Sequence, residues 1–100
     1  MAITGSWVLK DPNERSDYEI WWEAEMSALG NDTITASEWS VDDANLLIGS
    51  GGFAPSFTDT TTKVWLTAGL VGITYNVTNQ ITTAGGRILR QTVRLKVQAK

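Results

Sequence analysis

The sequence contains neither cysteine nor histidine. That removes disulfides, thiolate nucleophiles, Cys/His zinc sites and imidazole general bases from consideration. Nowhere do roughly eighteen apolar residues stand together, and no basic stretch followed by a long apolar run opens the chain. The expectation is a protein with no membrane span and no recognisable export signal. Basic residues are the minority, eight against eleven acids, for a net charge of −3. A nucleic-acid binder normally carries net positive charge and a coherent basic face, so nucleic acid is not an expected partner. Glycine-rich phosphate loops, serine elbows and metal-spaced ligand sets are also missing. Glu19 and Glu23, if on one strand face, stand about 13 Å apart, too far for a glycosidase pair. Asp42, Asp43 and Asn45 lack the spacing and closing Glu of a calcium loop and read as a turn. No catalytic residue, metal or cofactor is expected, and the chain is not read as an enzyme.

What is present suits one small folded domain. The chain has 100 residues, 42% of them hydrophobic and 19% charged, with nine glycines and two prolines. Charge is segregated along it: the acids crowd the first half, and Arg87, Arg90, Arg94, Lys96 and Lys100 gather at the end. Such a basic stretch pairs with acids of a neighbouring strand or neighbouring subunit, or else forms a solvated strand face.

Period-two alternation recurs. Tyr18, Ile20 and Trp22 alternate with Glu19, Trp21 and Glu23, which predicts a strand over 17–25, with helix as the competing reading for 23–29. Residues 33–41 resume a strand, with Ile34 and Trp39 out of phase and a bulge as the repair. A turn at 42–45, a short strand at 46–48 and a glycine-rich loop follow, the loop pinned by Phe53, Pro55 and Phe57. Residues 60–67 bury Val64 and Leu66 and show Lys63 and Trp65 to the other side. Residues 74–83 turn Tyr75, Val77 and Ile81 inward, with Asn79 in the fourth inward position, expected near a sheet end. Gly85-Gly86 closes a hairpin to a last strand whose Leu89, Val93, Leu95 and Val97 face in. Alternating short strands with glycine-rich turns predict an all-β immunoglobulin-like or fibronectin-like β-sandwich of about seven strands over residues 14–100, preceded by an N-terminal arm at 1–13. Tyr75, just after a glycine-containing turn, has the setting of a tyrosine corner.

Five tryptophans in so short a chain ask for a use. Trp22 and Trp39 are assigned to the core, with Trp7 as a third candidate. Trp21 and Trp65 point outward by strand parity, and Trp7, Val8 and Leu9 form an apolar knot that either covers the mouth of the domain's own core or reaches a neighbour as an arm. Exposed aromatics beside charges suit a protein interface or a sugar-binding platform, unless the arm or the 49–57 loop covers them. The candidate interface residues are Trp7, Val8, Leu9, Trp21, Trp65, Arg90 and Arg94.

The segments Thr61-Thr62-Lys63-Val64-Trp65-Leu66-Thr67-Ala68-Gly69 and Gly72-Ile73-Thr74-Tyr75-Asn76-Val77-Thr78-Asn79-Gln80-Ile81 resemble small virion proteins of tailed phages and prophages described as fiber-tail adaptors. Lys10-Asp11-Pro12, Asp17-Tyr18, Trp22, Thr33-Ile34-Thr35 and Trp39 are similar to the same family's N-terminal pattern. The resemblance implies an Ig-like domain without cofactor, made in the host cytoplasm and placed in the tail or neck of the virion. There it would join a fiber or appendage to the tail, alongside tail, neck or fiber proteins and symmetric copies of itself. A capsid decoration protein and a carbohydrate-binding or adhesive module remain the alternatives.

Overall fold

The computed structural model describes residues 11–99 in full and the backbone of Gly5 and Ser6. Its elements in chain order are β1 (Gly5–Ser6), β2 (Ser16–Trp21), α1 (Glu23–Ala28), β3 (Ile34–Val41), β4 (Leu46–Ile48), β5 (Ser56–Phe57), β6 (Thr61–Ala68), β7 (Thr74–Thr83) and β8 (Ile88–Lys96). Each long strand follows from alternation in the sequence. Along β7 the inward Tyr75, Val77, Asn79, Ile81 and Thr83 are all buried, and the residues between them are polar.

The strands form two sheets, one ordered β1-β8-β7-β3 and the other β2-β6-β4, with β5 also paired to β6. Pairing is antiparallel except for β1, which runs parallel to β8 with Gly5 opposite Val93 and Ser6 opposite Arg94. Their inner faces meet in a β-sandwich, as the alternation predicted. The hairpin β7–β8 turns at 84–87, where Thr83 N–H donates to the Arg87 carbonyl at 2.9 Å. Ile34 and Trp39 share the inner face of β3 because the register with β7 shifts between Ile34 and Ala36, the expected bulge.

One correction concerns residues 17–25. The strand ends at Trp21, and Glu23–Ala28 is helical. The helix forms because Ala, Glu and Met favour it and Glu23 and Glu25 sit in its first turn, where the helix dipole stabilises acids. It is also anchored. Trp22 N–H donates to the Thr60 carbonyl at 2.8 Å, and Met26 is buried. Gly30 and Asn31, with φ of 77° and 62°, end it.

The core has two apolar clusters. One gathers Tyr18, Leu46, Val64, Leu66, Tyr75, Val77, Leu95 and Val97; the other gathers Ile20, Trp22, Met26, Ile34, Ile81 and Val93. Each aliphatic side chain so buried contributes about 1.5–3 kcal/mol. Trp39 is half-buried against both clusters, less enclosed than expected of a core residue.

Between Val77 of the first cluster and Ile81 of the second lies Asn79, fully buried in mid-strand. Its expected position near a sheet end is therefore wrong, because the core itself supplies its partners. Asn79 Oδ1 accepts from Thr62 Oγ1 at 2.7 Å and from Trp22 Nε1 at 3.0 Å, and Trp22 Nε1 also reaches Thr62 Oγ1 at 3.2 Å. Asn79 Nδ2 donates to Ser37 Oγ at 2.9 Å and to the Glu38 carbonyl at 3.0 Å. Every hydrogen-bonding group of the amide is used, which is the condition for burying one.

Tyr75 completes the corner expected of it. Its hydroxyl accepts the Leu70 N–H at 2.8 Å, tying the β6–β7 turn to the core. Gly69 lies in that turn with φ of 95°, and a Cβ on it would stand 2.7 Å from Val97 Cγ2. Glycine is required there on both counts.

Candidate docking surfaces

The outer face of the β2–β6 sheet carries both outward tryptophans. Trp21 is 60% exposed, and its Nε1 donates to Glu19 Oε2 at 3.1 Å, which orients the ring without covering it. A shallow groove lined by Trp21, Glu23, Ala24 and Ser27 adjoins it. Trp65 is different, because the 49–57 loop folds over it. The Phe53 ring meets it edge-on with centroids 5.1 Å apart, and the Arg15 guanidinium lies 4.2 Å from the centre of the Phe53 ring. Gly49 allows this fold-over: a Cβ there would run into the Phe53 backbone and stand 3.1 Å from Trp65 Cβ. Lys63 lies between two acids on the same face, 3.8 Å from Asp17 and 3.9 Å from Glu19. Pairs so exposed add little stability.

The outer face of the other sheet is divided by charge. Arg90, Arg94 and Lys96 project from β8 at exposed positions, and Glu38 projects from β3 two strands away. Polar rungs join the two sides. Thr78 and Thr92 hydroxyls meet at 3.0 Å, and Asp42 holds Asn76 through both its backbone N–H and its side-chain amide. The basic strand is thus a solvent-facing stripe at Arg90 and Arg94. Trp7, Val8 and Leu9 lie outside the described residues.

Arg87, in the turn before β8, pairs with an acid of the loop before β3 and not with one on a neighbouring strand. Its Nη1 lies 2.8 Å from Asp32 Oδ2, and Asp32 Oδ1 accepts the backbone N–H groups of Thr33 and Gly85, each at 2.9 Å. The Asp32 side chain is only 5% exposed. Its carboxyl is lowered from 3.8 to about 2, first by the Thr83 hydroxyl and then by these N–H groups and Arg87, against the opposing pull of desolvation. A depressed carboxyl stabilises the fold above its unfolded pKa and loses that contribution as pH falls through the folded one. Thermal midpoints should therefore stay level above pH 4 and fall between about pH 4 and 2. In Asp32→Asn the fall over that window should be shallower, as melts at half-unit pH steps would measure.

Glu19 is on β2 and Glu23 on α1, so they do not share a strand face as the sequence suggested. Among the described residues no group of three or more Asp and Glu side chains is placed to hold a metal ion. One surface escaped the sequence reading. Leu70, Val71 and Ile73 in the β6–β7 turn are all exposed, and their only sequence signal is an apolar triplet where turns usually carry polar residues.

The described residues thus form a sandwich whose outer faces carry exposed aromatic and charged side chains. None of the curated proteins compared with the chain matches it. A family model described as podophage GP4 fiber-tail adaptor protein gp77 matches residues 10–96, which takes in every strand from β2 to β8, the Asn79 network and the tyrosine corner. With nearly its whole length matched, the chain belongs to the family of podophage fiber-tail adaptor proteins.

Proposed function

We propose that this protein is a structural connector of a tailed-phage virion, joining a fiber or appendage to the tail in several symmetric copies, with no catalytic step of its own. The match over residues 10–96 carries this reading. The outer faces support it. The orientation of Trp21 by Glu19 reduces the side-chain freedom lost on docking, and desolvated Trp and Arg side chains concentrate binding energy. In this reading Trp21, Arg90 and Arg94 contact neighbouring proteins or copies, and the stripe on β8 meets acids of the next subunit. Trp65 joins them by shaping the 49–57 loop. In this reading the stretch 1–13 serves as an arm whose Gly5–Ser6 segment runs along β8, and Trp7, Val8 and Leu9 add contacts to a neighbour. The protein works in the tail or neck of the particle after synthesis in the host cytoplasm, away from nucleic acid and membrane.

The test is reconstitution. Purified protein is added to tails isolated from particles that lack it, and fiber attachment is counted by electron microscopy. Wild-type protein should restore fibers. Trp21→Ala should weaken association by about tenfold or more while shifting the melting temperature little, because the ring lies outside the core. Full binding by Trp21→Ala would remove that residue from the interface. Failure of the wild type to bind would remove the adaptor reading altogether.

A further inference from the structure

Strand register orders the outer face of the β8-β7-β3 sheet into rows. In one row Arg90 and Glu38 stand at opposite ends, with Gln80 between them. Four residues farther along β8, Arg94 stands opposite Asn76, which Asp42 holds from the β3 side through its backbone N–H and its amide. In the other direction Ile88 and Ala36 flank Thr82. Bases therefore line one border of this face and acids the other. The borders are two strand spacings apart, about 9–10 Å, which is too far for a direct pair within one molecule. Among the described residues Glu38, Arg90 and Arg94 make no ion pair, and all three are exposed.

We infer that this face is where two copies of the chain meet, packed face to face about a two-fold axis parallel to β7. This rests on the symmetric copies of the adaptor reading and names the contact between two of them. Rotation about such an axis keeps each row at its own height and exchanges its ends. Arg90 of one copy then stands over Glu38 of the second and Arg94 over Asp42, and the symmetry repeats each pair. Ile88, 64% exposed, lies over Ala36, so a large apolar side chain meets a small one. Stacked sheets stand about 10 Å apart, a gap that arginine and glutamate span together. The middle of the face permits the approach, because Thr78 and Thr92 are short and tied to each other at 3.0 Å. A second copy is the occupant because the face carries its own complement in three rows at once. The outer face of the β2–β6 sheet does not match it, since Asp17 and Glu19 already share Lys63 and the Phe53 loop rises over Trp65. Lys96, opposite Thr74, has no acid in its row and stays at the rim in water.

Sedimentation equilibrium of the full-length protein alone, at concentrations from about 1 μM to 1 mM, tests this. The wild type should dimerise, and less tightly as salt is raised. Arg90→Glu and Glu38→Lys should each weaken self-association at least about tenfold, because each sets like charges opposite one another. Mixed in equal amounts, the two variants should dimerise again, since the acid introduced on one chain faces the base introduced on the other. Leu47→Ser, exposed on the other sheet, should leave the dimer unchanged. Where a charge reversal fails to fold, Ile88→Asp replaces it and should also weaken the dimer about tenfold. A monomeric wild type would overturn the contact, as would single variants that dimerise normally or a mixture that stays monomeric. None of those outcomes touches fiber attachment to tails. Conversely, a wild-type dimer that fails to restore fibers would remove the adaptor reading and leave the contact standing.

Discussion

Asn79→Ala is expected to destabilise the protein by about 4 kcal/mol, a drop of roughly 16–30 °C in melting temperature for a domain of this size. Removing the amide leaves the Thr62 hydroxyl without its acceptor, and deprives Ser37 Oγ and the Glu38 carbonyl of a donor. It also opens a cavity where the two apolar clusters meet. The cost arises from stranding buried polar groups, so it should shrink when those groups are removed together. Asn79→Leu combined with Thr62→Val should recover about half the loss of Asn79→Leu alone, since replacing both partners by apolar groups of similar shape is nearly neutral. Denaturant unfolding of the single and double variants completes the cycle. Equal stability of Asn79→Ala and wild type would show that water replaces the amide without penalty.

Gly69→Ala should cost about 3 kcal/mol, and Gly72→Ala about 1–2 kcal/mol. Both positions have positive φ, at 95° and 87°, so both variants carry backbone strain. Only at Gly69 does the added methyl meet an atom, Val97 Cγ2 at 2.7 Å, whereas at Gly72 nothing lies within 4 Å. The difference between the two variants therefore isolates the steric part. Thermal unfolding of both is the measurement, and equal losses would mean that Val97 moves aside freely.

The sequence was most legible where one physical signal acted alone. Along β6, β7 and β8 the side-chain period of two matches burial almost residue by residue, because both sheets bury one face and show the other. The Tyr75 corner and the β3 bulge were legible for the same reason: each is a local departure from a regular pattern. The helix after Trp21 was harder, since Trp22 continues the strand's alternation while the next residues favour helix, and only the anchor to Thr60 decides between them. Asn79 was misplaced because its partners, Trp22, Ser37, Glu38 and Thr62, lie 17 to 57 positions away. Alternation gives a residue's face and says nothing about what waits across the core. The same limit applies to the surface. Strand parity put Trp21 and Trp65 outward alike, yet the fold of the 49–57 loop covers Trp65 and leaves Trp21 open. The apolar turn at 70–73 was overlooked because apolar residues interleaved with Gly69 and Gly72 read as connection, and its exposure depends on Tyr75 and Val97 holding it away from the core.

The Asn79 network has a further consequence, for the order in which the chain folds. The hairpin β7–β8 joins residues close in sequence and has little loop entropy to overcome, whereas β2 finds β6 only across some forty intervening residues. The amide binds Ser37 and Glu38 of β3, Thr62 of β6 and Trp22 after β2, so it is satisfied only when all of these have arrived. Until then a half-formed sandwich holds an unsatisfied amide at its centre and gains little from closing in a shifted register. The last pairing to form thus completes the two sheets as one cooperative unit. A newly synthesised chain reaches its assembly partners either fully folded or still searching, with few long-lived states between.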